Sequence, residues 1–340
     1  MTCRRDESVR YATYQPGEIR VNRRAPQYRS HPALCLAWTI AFAAALPTLA
    51  DAPATQAEVS LIDVLHLAGP VYMLRSNTPI GNPTTVVSVG TDGAFVVDPN
   101  LAAAGEALDQ AIQQLGGGGV RLVASTHYHG DHTEGLELFV PPAIAIAPGA
   151  QRQRLATGEV VLGERPVQAS SLPAITFDDA LRLHWNGEVV EIFTPRHKNG
   201  HTDGDAFIYF SGSGVLCVGD YLFLDKYPLI DVDAGGDLEG YLANVDDLLA
   251  RFPPETLIVP GHGTFEPTPI ETVSMERLAA NLKRLRETIE IVRRKLRAGK
   301  TLDELIAEGL PERYAAIGER PRFVSEERWI RFLHSYYSER

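Results

Sequence analysis

Cysteine is scarce in this chain, which has only three among its 340 residues, Cys3, Cys35 and Cys217. A dense set of disulfide bonds, the device that stabilises many small secreted proteins, is therefore excluded. The chain must instead be held by a hydrophobic core, and its length is ample for one large domain.

Positive charge is also in deficit. The chain has 32 lysines and arginines against 43 aspartates and glutamates, which gives a formal net charge of −11. A protein that binds nucleic acid needs a surplus of basic residues to neutralise phosphates. The composition therefore argues against a nucleic-acid partner, and a small-molecule substrate is the expected ligand.

Long apolar runs are missing apart from one near the N-terminus. Several arginines precede the uncharged run Ala33–Leu46, and the small residues Thr48 and Ala50 follow it. The run is too short for a membrane span, which needs about 20 residues. A basic segment, a short apolar core and a small-residue site are typical of a signal peptide. We predict that residues 1–50 are cleaved near Ala50 and that the protein is periplasmic or secreted, with no stable membrane association afterwards.

Removal of this segment would change the composition of the remaining chain. It contains seven arginines and three acidic residues, so 25 basic and 40 acidic residues would remain, a formal balance of −15. Cys217 would be the last cysteine, and no intramolecular disulfide could form. Stability would then depend on the core and on any bound metal.

Histidines cluster at one place in the sequence. His127, His129 and His132 lie with Asp131 within six consecutive positions, in the segment THYHGDHTEG. Imidazole and carboxylate side chains in a closely spaced set are ligands that zinc prefers. On a turning backbone His127 and His129 can reach one ion, while Asp131 and His132 turn towards a second. The segment thus predicts a site for two metal ions.

The remaining ligands of such a site must come from other parts of the chain, and three candidates follow short apolar runs or glycine-flanked turns. His201 lies in NGHTDGD, Asp220 closes the run VLCVG, and His262 follows LIVPG. Buried strands that end in ligand-bearing loops allow a rigid sheet to position such groups. We expect these three side chains to complete the metal site.

This order of residues resembles the metallo-β-lactamase superfamily, whose members carry an HxHxDH motif followed by separate histidine, aspartate and histidine ligands. The resemblance extends from about Val59 to Thr268. It implies one metal position formed by His127, His129 and His201, a second formed by Asp131, His132 and His262, and a bridge between them from Asp220. Asp98 matches the superfamily's aspartate that orients metal ligands by hydrogen bonding.

The resemblance also implies a chemistry. Two zinc ions side by side lower the pKa of a bridging water towards neutrality, and the resulting hydroxide attacks a carbonyl or phosphoryl centre. The expected catalytic residues are Asp220, as the bridge, and Asp131, which could carry a proton towards the leaving group. One β-lactamase subgroup has a cysteine ligand at the place of Asp220. An aspartate there favours a general dinuclear hydrolase of esters, thioesters, lactones or amides, with β-lactams still in range.

Two alternatives remain open. Imidazole also suits iron and manganese, and a persulfide dioxygenase with a single iron resembles the same histidine pattern. A non-catalytic protein that kept the site for stability would bind zinc without hydrolysing any activated ester. Iron content and oxygen dependence distinguish the first alternative, and a lack of turnover distinguishes the second.

Some residues near the ligands are interpreted differently. Cys217 lies inside a strand-like run, three residues before Asp220, so we interpret it as a core residue. A nearby proline and glycine argue against a helix around His197, which we interpret as a loop-surface residue. Lys226 follows Asp220 in a loop that should line the site, and a solvated lysine is favoured over an anchor for a substrate carboxylate.

The pattern of apolar runs bears on the fold class. Short runs with strand character, such as Thr85–Val89 and Val120–Ala124, alternate with helical segments at Leu101–Leu115 and Leu238–Phe252. Together with the resemblance, this order implies an α/β (α+β) fold, a four-layer αββα sandwich that spans residues 58–269.

Residues 270–340 have a different character. Apolar residues recur there every three or four positions among charges, the pattern of an amphipathic helix, and two shorter helical pieces follow. The recurring residues are Leu278, Leu282, Leu285, Ile289 and Val292. We predict a C-terminal helical extension, interpreted as a cap on the sandwich, with a substrate lid or a dimer surface as the alternative.

Overall fold

The computed structural model of the chain describes residues 62–77, 82–223, 226–263, 270–314, 317, 324–338 and 340. The predicted signal peptide, residues 1–50, lies outside these residues. None of the helices in the described part of the chain is long and apolar enough to cross a membrane.

Seven strands form the first of two sheets. They are β1 (Ile62–Ala68), β2 (Val71–Ser76), β3 (Thr84–Ser88), β4 (Ala94–Val97), β5 (Val120–Ala124), β6 (Ile144–Pro148) and β7 (Ile175–Phe177), and they lie in chain order across the sheet. The pairs from β1 to β4 are antiparallel, and those from β4 to β7 are parallel. Parallel neighbours need crossover connections. These contain α1 (Gly105–Gln114), α2 (Gly130–Thr133), α3 (Leu136–Phe139) and α4 (Gly149–Thr157).

Five strands form the second sheet. They are β8 (Ala180–Trp185), β9 (Glu188–Phe193), β10 (Phe207–Phe210), β11 (Val215–Cys217) and β12 (Leu257–Val259), in the spatial order β12-β11-β10-β9-β8. β8 and β9 are joined by Asn186 and Gly187, which both have positive φ angles of 49° and 79°. A two-residue hairpin turn requires this conformation, and Asn-Gly adopts it at low cost. β11 and β12 are parallel, with α5 (Leu238–Arg251) as their crossover.

The two sheets pack face to face around one layer of the core. Side chains of a strand alternate between its faces, so Phe95 and Val97 of β4 belong to this layer while Ala94 and Val96 belong to the layer beneath α1. The residues of the second sheet in the shared layer include Val190, Ile192, Ile208, Phe210 and Val215. Because β4 is buried on both faces, its sequence is apolar throughout.

Helices cover the outer faces of both sheets. Leu108 and Ile112 of α1 pack on the first sheet. Leu242 and Val245 of α5 pack in one cluster with Leu216 of the second sheet. The result is the predicted four-layer αββα arrangement, and the expected α+β fold class is confirmed.

Three helices form the C-terminal region, α6 (Met275–Arg297), α7 (Leu302–Glu308) and α8 (Glu326–Ser338). Ser274 caps α6 by accepting a hydrogen bond from the Arg277 backbone, and Thr301 and Glu304 form a capping box at α7. The apolar stripe of α6 joins the same core cluster as α5. The predicted helices are therefore confirmed, while the domain boundary at residues 269 and 270 stays a prediction.

The structure also contains elements that the apolar runs did not predict. β1 and β7 are edge strands with several exposed residues, so neither has a continuous apolar run. The short helix α2 begins within the histidine cluster, and α1 is shorter than predicted because a 3-10 turn at Ala102–Ala104 precedes it. Edge position is a tertiary property that weakens a sequence signal, and the ends of helices commonly differ by a few residues because the last turn is 3-10.

Candidate metal centre

The predicted ligands and the orienting residue Asp98 lie in loops that follow five strands at one edge of the sandwich, and His201 is in the loop between β9 and β10. Asp98 comes directly after β4, the cluster from His127 to His132 after β5, Asp220 after β11 and His262 after β12. Two of the strand pairs concerned are parallel, β4 with β5 in the first sheet and β11 with β12 in the second. Parallel neighbours present their carboxyl ends at the same edge of a sheet, so each sheet places its ligand loops together.

Four buried side chains form the first group of potential ligands, His127, His129, His201 and Asp220. His129 Nδ1 lies 3.1 Å from His127 Nε2 and 3.2 Å from His201 Nε2. Asp220 Oδ2 lies 3.7 Å from His127 Nε2 and 3.6 Å from His201 Nε2. Three ring nitrogens and a carboxylate oxygen thus converge on one point.

Asp131, His132 and His262 form a second group and are buried as well. The Nε2 atoms of His132 and His262 are 3.3 Å apart. Asp131 Oδ2 lies 3.3 Å from His262 Nε2, and Asp131 Oδ1 lies 3.9 Å from His132 Nε2. The two groups contain the seven residues that the sequence predicted, divided as predicted.

Asp220 stands between the two groups. Its Oδ1 atom lies 3.4 Å from His132 Nε2 and 3.4 Å from His262 Nε2, whereas Oδ2 faces His127 and His201. One carboxylate oxygen therefore faces each group, which is the arrangement that a bridging ligand requires.

The donor atoms of these residues fit metal ions. All four carboxylate oxygens of Asp131 and Asp220 are buried and have no hydrogen-bond partner. A buried polar atom without a partner costs about 1–3 kcal/mol, and more when it is charged. Five imidazoles and two such carboxylates are the ligand types that divalent zinc binds. Metal ions would satisfy oxygens that the protein leaves unsatisfied.

The pKa shifts of His127, His201 and Asp220 are compatible with this fit. For His132 burial lowers the pKa, but Asp131, Asp220 and Asp98 outweigh it and raise this pKa well above its usual value. Burial, and then the nearby His132, lower the pKa of His127 well below its usual value, and burial lowers the pKa of His201. A neutral imidazole is the form that binds metal. Burial opposes ionisation of Asp220, yet His262, His132 and His127 outweigh it and hold the pKa of this carboxyl well below its usual value.

Most of the histidines are oriented by an acceptor on their far ring nitrogen. His132 Nδ1 lies 2.9 Å from Asp98 Oδ2, His201 Nδ1 lies 2.8 Å from the Leu229 carbonyl, and His129 Nε2 lies 2.9 Å from Asp231 Oδ2. Each acceptor holds a proton on that nitrogen and turns the lone pair of the other towards the group.

The orienting role predicted for Asp98 is confirmed by these contacts. Its carboxylate also accepts hydrogen bonds from the Thr126 backbone at 2.6 Å and from the Thr126 hydroxyl at 2.8 Å. Asp98 has a φ angle of 55°, a left-handed conformation that is uncommon for a residue other than glycine. The strain is localised next to the metal centre, where such residues concentrate.

Sequence reasoning missed Asp231. It lies 102 positions after His129, in a loop without a recognisable motif, and its carboxylate accepts from both His129 and the Tyr128 hydroxyl, the latter at 2.8 Å. These hydrogen bonds overcome the effect of burial and lower the pKa of Asp231, so the group is ionised. The only sequence signal was the aspartate-rich stretch that follows Pro228.

Asp231→Ala is expected to weaken the binding of an added divalent metal about 10- to 100-fold, the usual cost of losing a group that orients a ligand. The His129 ring would lose the acceptor that fixes its orientation. Competition with a chromogenic chelator measures the change. Asp233→Ala is the matched control, because Asp233 is an exposed neighbour in the same loop; an equal loss of affinity in both variants would contradict the role of Asp231.

Glu134, within the histidine motif, faces away from the ligands. Its buried carboxylate accepts hydrogen bonds from the backbone of Glu164, Arg165 at 3.1 Å and Ala102 at 3.3 Å. It thereby fixes the irregular loop after α4, whose Val161 carbonyl accepts from Gly130. The side chain has a structural role beside the metal centre.

The other candidate residues lie outside both groups. Cys217 is buried in the layer between the sheets, and burial raises the pKa of its thiol, so its interpretation as a core residue is confirmed. His197 is about half exposed in a loop, as predicted. The interpretation of Lys226 as a solvated residue is wrong: it is buried, and its Nζ donates to the Gly263 carbonyl at 2.8 Å.

A two-sheet sandwich with two adjoining histidine and aspartate groups at one edge defines a class of metal-binding protein. The family model of the metallo-beta-lactamase superfamily matches residues 78–262, more than half of the chain. The chain belongs to this superfamily.

Solved structures show the same fold at low sequence identity. A metallo-beta-lactamase from Pontibacter korlensis is 19% identical, with a TM-score of 0.55 over 66% of this chain and 99% of that one. The DIM-1 metallo-beta-lactamase is 20% identical, with a TM-score of 0.54 over 68% and 99% of the two chains. TMB-1 is 18% identical, with a TM-score of 0.53 over 68% and 100%. A comparison with curated proteins found no match.

Proposed function

We propose that the protein is a dinuclear zinc-dependent hydrolase of an ester, thioester, lactone or amide. The placement of Asp220 carries the proposal, because one of its oxygens faces each ligand group and neither has a hydrogen-bond partner. A site for one metal would need only the first group. The complete second group favours two ions over the single iron of a persulfide dioxygenase.

The chain's own residues would divide the work of hydrolysis. Two zinc ions bound in these groups would supply Lewis acidity and an activated water at neutral pH. Asp220 would hold the two positions at a fixed separation, and the orienting partners Asp98 and Asp231 would keep the imidazoles in place. Asp131 would transfer a proton towards the leaving group.

The location and the partners are proposed from composition. The basic and apolar pattern of residues 1–50 supports export to the periplasm or the medium. The excess of acidic residues supports a small-molecule substrate and no nucleic acid.

Metal content and turnover, measured on the same preparation, test the proposal. Protein purified without added metal would be analysed for zinc, iron and manganese, and then assayed with a chromogenic cephalosporin, lactones and thioesters. Two zinc equivalents with turnover of at least one substrate would support it. One iron equivalent with oxygen-dependent activity would replace it with the dioxygenase, and zinc without any turnover would favour a non-catalytic metal-binding protein.

His262→Ala is expected to reduce the zinc content from two equivalents to about one, because the second group would keep only Asp131 and His132 from its own set. Activity should fall with the second zinc. Metal analysis after dialysis gives the stoichiometry, and His184→Ala, which removes an exposed histidine of β8, is the control. A His262→Ala protein that still held two zinc ions would show that the ligand is assigned wrongly.

A further inference from the structure

The C-terminal helix α8 contacts a segment that adjoins the metal centre, residues 226–237, which we call the site loop. Near the start of this loop, the rings of Tyr227 and Trp329 stack with centroids 5.4 Å apart and an interplanar angle of 13°. Both side chains are fully buried. Trp329 Nε1 also donates to Thr288 of α6 at 3.0 Å, so the stacking surface is fixed by a second helix.

The second contact is at the end of the site loop, on Asp237. The Tyr336 hydroxyl donates to Asp237 Oδ2 at 2.8 Å, and Arg340 Nη2 donates to the same atom at 2.6 Å. The other oxygen, Oδ1, accepts from the Gly240 backbone at 3.0 Å, so Asp237 is also the N-cap of α5. The Asp237 carboxylate therefore caps α5 with one oxygen and binds α8 with the other.

Between these two contacts, the site loop contains the hydrogen-bond acceptors of two candidate ligands. The Leu229 carbonyl accepts from His201, and Asp231 accepts from His129. The backbone is joined as well, because Asp231 N donates to the His201 carbonyl at 3.0 Å and Asp237 N donates to the Gly200 carbonyl at 2.9 Å. A shift of the site loop would therefore move both imidazoles.

We propose that Tyr336 is a positioning residue of the metal centre: through Asp237 it fixes the site loop and hence the orientation of His129 and His201. Arg340 assists it. The inference rests on the proposed function only in treating these two histidines as zinc ligands. This role of the C-terminal extension goes beyond that of a cap. It also differs from that of a lid, because α8 contacts the site loop, which accepts hydrogen bonds from the ligands.

The different exposure of Tyr336 and Arg340 indicates which of them contributes more to holding Asp237. Tyr336 is 7% exposed, whereas the side chain of Arg340 is 56% exposed. An exposed ion pair contributes little, because water screens it, while a partly buried hydroxyl that loses its acceptor pays part of the cost of desolvation. The Tyr336 hydroxyl is therefore the principal contact. A cap held by apolar packing alone would not need this hydroxyl, since Ile330 and Leu333 already bury α8 in the core.

The test compares Tyr336→Phe with Tyr337→Phe. The first removes only the hydroxyl that donates to Asp237; this hydroxyl also accepts from Arg340 Nη1 at 2.5 Å and from the Glu239 backbone at 3.4 Å. The second removes a hydroxyl of the same helix that donates to Glu239 at 2.9 Å, outside the site loop. Arg340→Met, which leaves the helix core untouched, provides a second variant with a smaller effect in the same direction. All three are compared with the wild type as the full chain.

Two quantities are measured. In the metal-free protein, the ring resonances of His129 and His201 are followed by NMR, and Tyr336→Phe should shift both while Tyr337→Phe leaves them unchanged. In the presence of zinc, chelator competition should show about tenfold weaker binding of one zinc ion in Tyr336→Phe, at the lower end of the range for groups that orient ligands.

The outcomes separate this inference from the proposed function. Unchanged histidine resonances in Tyr336→Phe would overturn the inference, and so would shifted resonances with zinc affinity equal to that of Tyr337→Phe. Shifted resonances with weaker zinc binding support it. Failure of the wild type to bind zinc would overturn the proposed function, while the resonances of the metal-free protein would still decide whether Tyr336 positions the two histidines.

Discussion

Asp220→Ala is expected to abolish hydrolysis and to reduce the zinc content below two equivalents, because both ligand groups lose a shared oxygen donor. A bridging carboxylate and the metal pair it holds account for several kcal/mol of transition-state stabilisation, so the rate should fall by roughly 10³-fold or more. Turnover of any substrate found with the wild type, together with metal analysis, measures both effects.

The Asp220→Ala protein should keep its fold. The core between the sheets consists of apolar residues such as Phe95 and Ile208, none of which depends on Asp220. Far-UV circular dichroism of the metal-free variant should therefore match the wild type. Asp220→Asn is the matched control for shape, since it keeps the side-chain volume but lacks the second anionic oxygen. Unchanged turnover in either variant would remove the bridging role.

Gly261→Ala is expected to be nearly as damaging, although no functional atom is removed. A Cβ atom at this position would lie 2.1 Å from Asp220 Oδ1 and 2.7 Å from the Gly219 carbonyl carbon. The backbone cannot withdraw easily, because Gly261 N donates to Gly219 at 2.8 Å and the Gly261 carbonyl accepts from Thr84 at 2.9 Å. Asp220 would have to move, and a displacement of about 1 Å can reduce a rate by about 100-fold.

Zinc content, turnover and thermal unfolding together measure the effect of Gly261→Ala. The metal-free protein should also lose about 1–3 kcal/mol of stability through overpacking. Gly149→Ala is the control, since its nearest contact would be Asp178 Oδ1 at an ordinary 3.4 Å. If Gly261→Ala bound two zinc ions and turned over substrate like the control, the close approach of Gly261 to Asp220 would have no functional consequence.

Part of the metal centre could be predicted because its signal is local in the sequence. His127, His129, Asp131 and His132 lie within one short segment, and a backbone turn of that length cannot separate them widely. Asp231 could not be found in the same way. Its carboxylate meets His129 only because the site loop folds back against the loop before β10, where Asp231 N donates to the His201 carbonyl.

Lys226 shows why residue type alone can mislead. Lysine is usually solvated, and the apolar stretch YLFLDKYPLI around Lys226 does not reveal an acceptor for its ammonium. In the structure its ammonium donates to the carbonyl of Gly263, the residue after His262, which lies 37 positions away. The tertiary arrangement supplies an acceptor in the loop after β12, and this hydrogen bond offsets part of the cost of removing the charge from water.

The sequence by itself determined the types and the order of the candidate ligands, because glycine turns and closely spaced histidines are local properties. Its strand-length apolar runs, together with the resemblance to the superfamily, indicated the α+β class. Only the tertiary structure decided that the two oxygens of Asp220 face different groups, that Asp231 orients His129, and that α8 bonds to the site loop through Tyr336. These contacts join residues up to 102 positions apart. Their geometry depends on how the sheets and helices pack, which no short segment of the chain encodes.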